Sequence, residues 1–228
     1  MKTGSLAADW LHSPRGEQLL RAERARLDPR LAKLFGRTLL QIGDWGDDLL
    51  RPAPHWRTGV IGTGGNVQVI CDLGALPLVP HSADAILLAH SLEAAPSPHR
   101  LLREADTALT SRGQLLILGF NPYSWWGLRQ RWLPAYPALP PRQQLLGSGR
   151  ITDWLRLLDY EVVCRERFGP VVPRGPRWLQ PLLAPFAPAY LIHARKRQIP
   201  VNPIRKPAWR RAPADASAAR LGSVRSAA

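Results

Sequence analysis

Three residues with chemically useful side chains each stand at or just beyond the end of a short apolar run. Asp72 follows Val67–Ile70, His90 follows Ala85–Leu88, and Asn121 follows Gln114–Phe120. A carboxylate can accept a hydrogen bond from a ligand amino group, an imidazole can take a proton near neutral pH, and a primary amide can orient a substrate through both of its polar atoms. Each has a structural alternative: Asp72 as a strand-end turn residue, His90 as a satisfied histidine, and Asn121 as a cap for a helix beginning near Trp125. The six histidines give no convincing metal-ligand spacing, so no metal is assigned.

The elements between these residues must bring them together. The first two runs are too short for independent helices and are bounded by polar or turn residues, as expected of strands buried on both faces of a parallel sheet. Between the second and third runs, Ser97 offers a capping oxygen and Pro98 a preset first-turn φ. Leu101, Leu102, Ala105, Ala108 and Leu109 then recur at helical spacing, and Gly113 is placed to end the helix. Strand, helix, strand predicts a parallel crossover, and ligands of such sheets sit outside the carboxyl ends of the strands. Upstream, residues 16–27 predict an amphipathic helix. Asp28 and Pro29 restart a second one with Leu31, Leu34 and Phe35 on its apolar side, stopped by Gly36. Thr38–Ile42 predicts the first strand, leading into Gly43-Asp44-Trp45-Gly46. Downstream come a helix over Arg150–Leu158 and strands over Glu161–Cys164 and Ala189–Ala194, with a Pro-rich loop from Trp132 to Pro141 between strand and helix.

In order, D-L-G-A-L-P-L, S-A-D-A-I-L-L-A-H-S-L-E, P-H-R-L-L-R-E-A and S-R-G-Q-L-L-I-L-G-F resemble the second half of a class I S-adenosylmethionine-dependent methyltransferase of the type 11 kind. N-P-Y-S-W-W-G-L and D-W-L-R-L-L-D-Y-E-V-V resemble a bacterial subgroup of short methyltransferase-like proteins, and the resemblance covers Leu39 to Lys196. It implies an α/β fold: a Rossmann-like, mostly parallel sheet with helices on both faces, a shortened first half and an antiparallel final strand. It also implies S-adenosyl-L-methionine as cofactor and an unidentified methyl acceptor. By the same resemblance the Gly43, Asp44, Gly46 turn approaches the cofactor's methionine part. Asp72 accepts from the adenine amino group, with the Leu73 backbone on the ring edge. His90 passes near the methionine part as a candidate proton acceptor, and Asn121 orients the acceptor. The chain departs from the family pattern at Gln41, usually acidic, and at Trp45, usually small. It has no acidic residue between Asp48 and Asp72, so the ribose-binding carboxylate has no counterpart.

The balance of 31 Lys and Arg against 17 Asp and Glu, a formal net charge of +14, favours anionic partners such as nucleic acid, phosphorylated metabolites or anionic lipid surfaces. Cys71 and Cys164 make no disulfide framework. The first residues lack the apolar core of a signal peptide and no run is a convincing membrane span, so a cytoplasmic location is expected. The predicted organisation is an N-terminal helical extension (1–37), a methyltransferase-like domain (38–196) and a disordered basic tail (197–228). The tail's arginines and Trp209 suit phosphate contact and base stacking. Two function classes follow: a methyltransferase, or a non-catalytic descendant of that fold which binds RNA or a protein through its basic surface.

Overall fold

A computed structural model describes residues 10–46, 48–50, 56–64, 67–132, 144–169 and 184–197. The predicted basic tail, most of the Pro-rich loop after Trp132 and the segment around Trp178 lie outside the described residues.

The chain opens with α1 (Pro14–Leu31), followed by β1 (Thr38–Ile42), β2 (Arg57–Gly62), β3 (Val69–Ile70) and β4 (Ala83–Ala89). The short α2 (Ser91–Ala94), α3 (Pro98–Ala108), β5 (Leu109–Phe120) and α4 (Trp125–Trp132) come next. The chain continues through α5 (Ser148–Leu157), β6 (Tyr160–Phe168), a 3-10 turn (Ala184–Phe186) and β7 (Ala189–Lys196). The seven strands form one sheet in the order β3-β2-β1-β4-β5-β7-β6. β3, β2, β1, β4 and β5 are parallel, while β7 runs antiparallel between β5 and β6. This is the Rossmann-like, mostly parallel sheet with antiparallel final strands that the resemblance implied.

Alternation along β4 and β5 sends side chains to two cores. Ile86, Leu88, Leu115 and Ile117 pack against α3 and α5 through Leu101, Leu102, Ala105, Ile151 and Leu155. Leu87, Leu116, Leu118 and Phe120 face the other way, onto Leu19, Leu27 and Leu31 of α1. Trp10 and Leu11 pack on this second core.

Several local expectations are corrected. The two predicted N-terminal helices are one, capped by Ser13 Oγ, which accepts from Gly16 N at 3.2 Å. Pro29 falls in the last turn, where its fixed φ is helical and only one backbone bond is lost. Phe35, expected on the apolar side, is exposed. The strand predicted over Val67–Ile70 is not buried. It is the two-residue edge strand β3, with Val69 and Ile70 exposed, because β3 has a neighbour on one side only. The sequence reading missed β2, although Arg57–Ile61 pairs with β1; its buried end, Val60–Gly62, lies where β3 pairs on the other side. Ser97 receives Arg100 N and Leu101 N on its backbone carbonyl, not on its side chain. α3 ends at Ala108 and Gly113 lies inside β5, where the β4–β5 register jumps between Ala83 and Ala85. The jump absorbs the extra residues as a bulge and restores pairing from Gln114 onward.

Gly119 on β5 faces Tyr190 on β7. The phenol crosses Gly119 so closely that a Cβ there would overlap the ring, and its hydroxyl donates to Leu146 O at 3.0 Å. Gly119→Val should therefore lower stability by about 1–3 kcal/mol through overpacking. Tyr190→Phe should cost about 1 kcal/mol through the lost hydrogen bond. Urea denaturation of the two variants checks both the values and their order.

Candidate functional site

The carboxyl ends of β1, β4 and β5 meet where Gly43, His90 and Asn121 follow them. Gly43 adopts φ 108°, donates its N–H to Ile61 O at 2.7 Å, and lies where a Cβ would strike Ala89 O. Only glycine lets the turn pass between the ends of β2 and β4. Gln41, buried on β1, knots that turn. Its Nε2 donates to Gly43 O (3.1 Å) and Trp45 O (3.3 Å), while its Oε1 accepts from Leu49 N at 2.9 Å. A carboxylate could accept but not donate, which accounts physically for an amide here. Asp44 is half-buried beside the end of β2, its backbone nitrogen 3.2 Å from the point a Gly62 Cβ would occupy. Burial pushes its carboxyl up, partly offset by its backbone hydrogen bond.

Behind the turn lies a buried charged network that sequence reasoning missed except for its centre. His90, itself in a left-handed conformation (φ 51°), is 2 % exposed. Its Nε2 is 2.9 Å from Glu23 Oε1 on α1, and its Nδ1 is 2.8 Å from Glu93 Oε2 on α2. Glu23 Oε2 accepts from the Trp45 indole at 2.9 Å, and Glu93 Oε1 accepts from the Phe120 backbone N–H. The ring lies between Trp45 and Phe120, with centroids 4.4 and 4.1 Å away. Burial favours the neutral ring, but the charges and hydrogen bonds of Glu23 and Glu93 overcome it and push the imidazole up to about 9. Burial likewise raises the Glu93 carboxyl, against the attraction of His90. His90 is thus an imidazolium with both N–H groups committed and no lone pair free to receive a proton. One signal was legible: Leu19, Glu23, Leu27 and Leu31 share a four-residue spacing, so Glu23 interrupts an apolar stripe.

The remaining predicted residues are placed as follows. Asp72 is exposed just past β3, with Oδ1 accepting from Gly74 N at 2.9 Å. Leu73 is buried in the α3-side core. Gly46, at φ 69°, packs toward Leu20 of α1. Asn121 is buried, with Nδ2 donating to Pro185 O (2.8 Å) and Ala187 O (2.9 Å) and Oδ1 accepting from Tyr123 N at 3.1 Å. Ser124 Oγ donates to Asn121 O and accepts from Gly127 N, which opens α4. Gly43 and His90 are brought together across Ala89, and Asn121 follows Phe120 in the same layer. β2 ends at Gly62 without a carboxylate. Among the described residues, no group of His, Cys, Asp or Glu could hold a metal ion, and no helix is long and apolar enough to cross a membrane.

Comparison with known proteins agrees with this fold. Residues 59–117 match a family model described as a methyltransferase domain, of the type 11 kind. An uncharacterized Escherichia coli K12 protein, YafS, is 36% identical over 204 residues, spanning 86% of this chain and 85% of the relative. The fold is similar to that of an S-adenosylmethionine-dependent methyltransferase from Aquifex aeolicus, with a TM-score of 0.59 and 12% identity over 86% of this chain and all (100%) of that one. It is also similar to the N-methyltransferase NodS of Bradyrhizobium japonicum, solved with S-adenosyl-L-homocysteine, with a TM-score of 0.55 and 14% identity over 82% of this chain and 90% of that one. S-adenosyl-L-methionine is the cofactor of this methyltransferase fold.

The network predicts a pH dependence of stability. His90 has a folded value above its ordinary 6.5, so its contribution is fully present below pH 6.5 and is lost as pH rises through about 9. The raised Glu93 carboxyl slopes in the same direction. Stability in denaturant should fall between pH 6.5 and 9 by on the order of 3 kcal/mol, and His90→Gln should abolish most of that slope. An unchanged slope in the variant would refute the assignment.

Proposed function

The chain belongs to one family with YafS, within the class I methyltransferases of the type 11 kind, and from that membership we propose that it is an S-adenosylmethionine-dependent methyltransferase. The single observation that carries the reading is the strand order with its parallel β3-to-β5 half, which converges Gly43, Asp44 and Asp72 on the carboxyl side of the sheet. The donor set fits the cofactor. Asp72 offers an exposed carboxylate whose second oxygen has no partner among the described residues, suited to an adenine amino group, with the Leu73 backbone beside it. The Gly43–Gly46 turn is assigned to the methionine part. Asp44, adjoining the end of β2, takes the ribose role that Gly62 cannot.

When bound, the cofactor supplies an electrophilic methyl group on a sulfonium. The chain's own contribution is placement: holding donor and nucleophile in contact geometry can lower the barrier by several kcal/mol, about 7–11 in the best-oriented cases. His90 and Asn121 enter as positioning residues. His90 anchors Trp45 through Glu23, and so fixes the turn, while Asn121 ties β5 to the segment before β7. Neither is assigned to proton transfer, because the polar atoms of both side chains are already committed.

A second reading, a non-catalytic member of the fold, draws on a specific observation: Trp45 fills the glycine turn with a buried indole. Titration calorimetry with S-adenosylhomocysteine separates the two. The wild type is expected to bind, and Asp72→Ala to weaken binding by about tenfold or more, the worth of a hydrogen bond to a charged group. A wild type that releases no heat and shows no competition would favour the second reading.

A further inference from the structure

Helix α4 carries its large apolar side chains outward. Trp126 packs into the α1-side core, edge-on to Trp10 at 6.0 Å, and Gly127 is pressed against Pro122 O. The opposite stripe, Trp125, Leu128, Arg129 and Trp132, falls at i, i+3, i+4 and i+7 and lines an open hollow of about 270 Å³. Trp125 is 64% and Trp132 77% exposed, and neighbouring Tyr123 is 65% exposed. Phe186, 45% exposed, lies between the two carbonyls that Asn121 holds, so it adjoins the same edge. In a water-facing helix this spacing ordinarily marks the core side; here it faces solvent. Arg129 Nε is buried without a hydrogen-bond partner among the described residues in this largely apolar hollow.

Positive charge stands at the patch: Arg129 belongs to the stripe, and exposed Arg167 donates to Pro185 O at 3.4 Å, next to Phe186. In sequence, residues 107–152 and 167–214, which carry these side chains, contain no Asp or Glu. We propose that this face docks on an anionic lipid bilayer, with Trp125, Leu128 and Trp132 at the boundary of headgroups and acyl chains and Arg129 and Arg167 on headgroup phosphates. Exposed tryptophans with a leucine and an arginine on one helix face are the composition of an interfacial helix. Basic residues near such a surface each add to the attraction. The aliphatic Leu128 at the centre of the hollow suits acyl chains better than stacked bases. Because α4 begins four residues after Asn121, the docked face adjoins the carboxyl end of β5, and thus the side of the sheet assigned to the ligand.

Flotation of the full chain with vesicles tests the proposal, comparing phosphatidylglycerol mixed with phosphatidylcholine against phosphatidylcholine alone. Binding is expected to the anionic vesicles and about tenfold less to the neutral ones. The solvent-facing double variant Trp125→Ser/Trp132→Ser is expected to lose about tenfold or more in partitioning, with its thermal midpoint unchanged. Acyl-brominated lipids should also quench the wild-type tryptophan emission, a reading that needs no variant. The proposal is overturned by no flotation with anionic vesicles, by undiminished flotation of the double variant, or by flotation without bromolipid quenching, the last two being what basic residues alone would produce. It is equally overturned if both proteins ignore vesicles while the double variant loses affinity for a single-stranded oligonucleotide, which would assign the face to nucleic acid. Vesicle binding is read without cofactor, so its failure and the failure of methyl transfer are distinguishable.

Discussion

A protonated imidazole held between two carboxylates, out of contact with water, is the interaction from which the rest of the ligand-side architecture takes its shape. Glu23 arrives on α1, His90 from the end of β4, and Glu93 from α2. Their remaining acceptor oxygens take the Trp45 indole and the Phe120 backbone N–H. Five separate elements are therefore joined through one ring. Such a group is costly to bury unless every polar atom is paired, and here each carboxylate oxygen and each ring nitrogen has its partner. The penalty for breaking any one contact is what makes the arrangement specific.

The network also explains how α1 is held. Its leucines would pack on many registers of an apolar sheet face, but Glu23 can be satisfied in one place only. A partly exposed ion pair between Arg30 and Glu166 at 2.6 Å ties the other end of α1 to β6. The glycine turn is fixed from two directions, by Gln41 from β1 below and by Trp45 through Glu23 above. A rigid floor of this kind suits chemistry that depends on placement rather than on proton transfer. It contrasts with α4, where large apolar side chains meet solvent instead of the core.

Asp44 shows how closely the glycine turn approaches the end of β2. β2 ends at Gly62, and the absence of Cβ there lets the Gly43–Gly46 turn approach it closely. The shortened first half keeps its full complement of strands, because β2 and β3 need only backbone pairing to β1 and to each other.

The parallel crossover from β4 through α3 to β5 was legible because buried strands read as continuous apolar runs and α3 has a clean stripe, while the antiparallel course of the final strand was implied by the resemblance. The strand ends bearing His90 and Asn121 were legible because their strands are such buried runs, whereas the apolar run before Asp72 belongs to an exposed edge strand; the order of the motifs carried the family. β2 was not, since Arg57, Thr58 and Gly59 carry no apolar pattern and gain their place from pairing with β1. The edge position of β3 was hidden too, because exposure depends on which strands lie beside it. The sequence by itself determined the sheet type, the crossover and the residues that follow each strand. Only the tertiary structure decided that His90 is a sealed imidazolium rather than an open base, because its charge state is set by Glu23, which lies 67 residues earlier and is brought to it solely by the packing of α1.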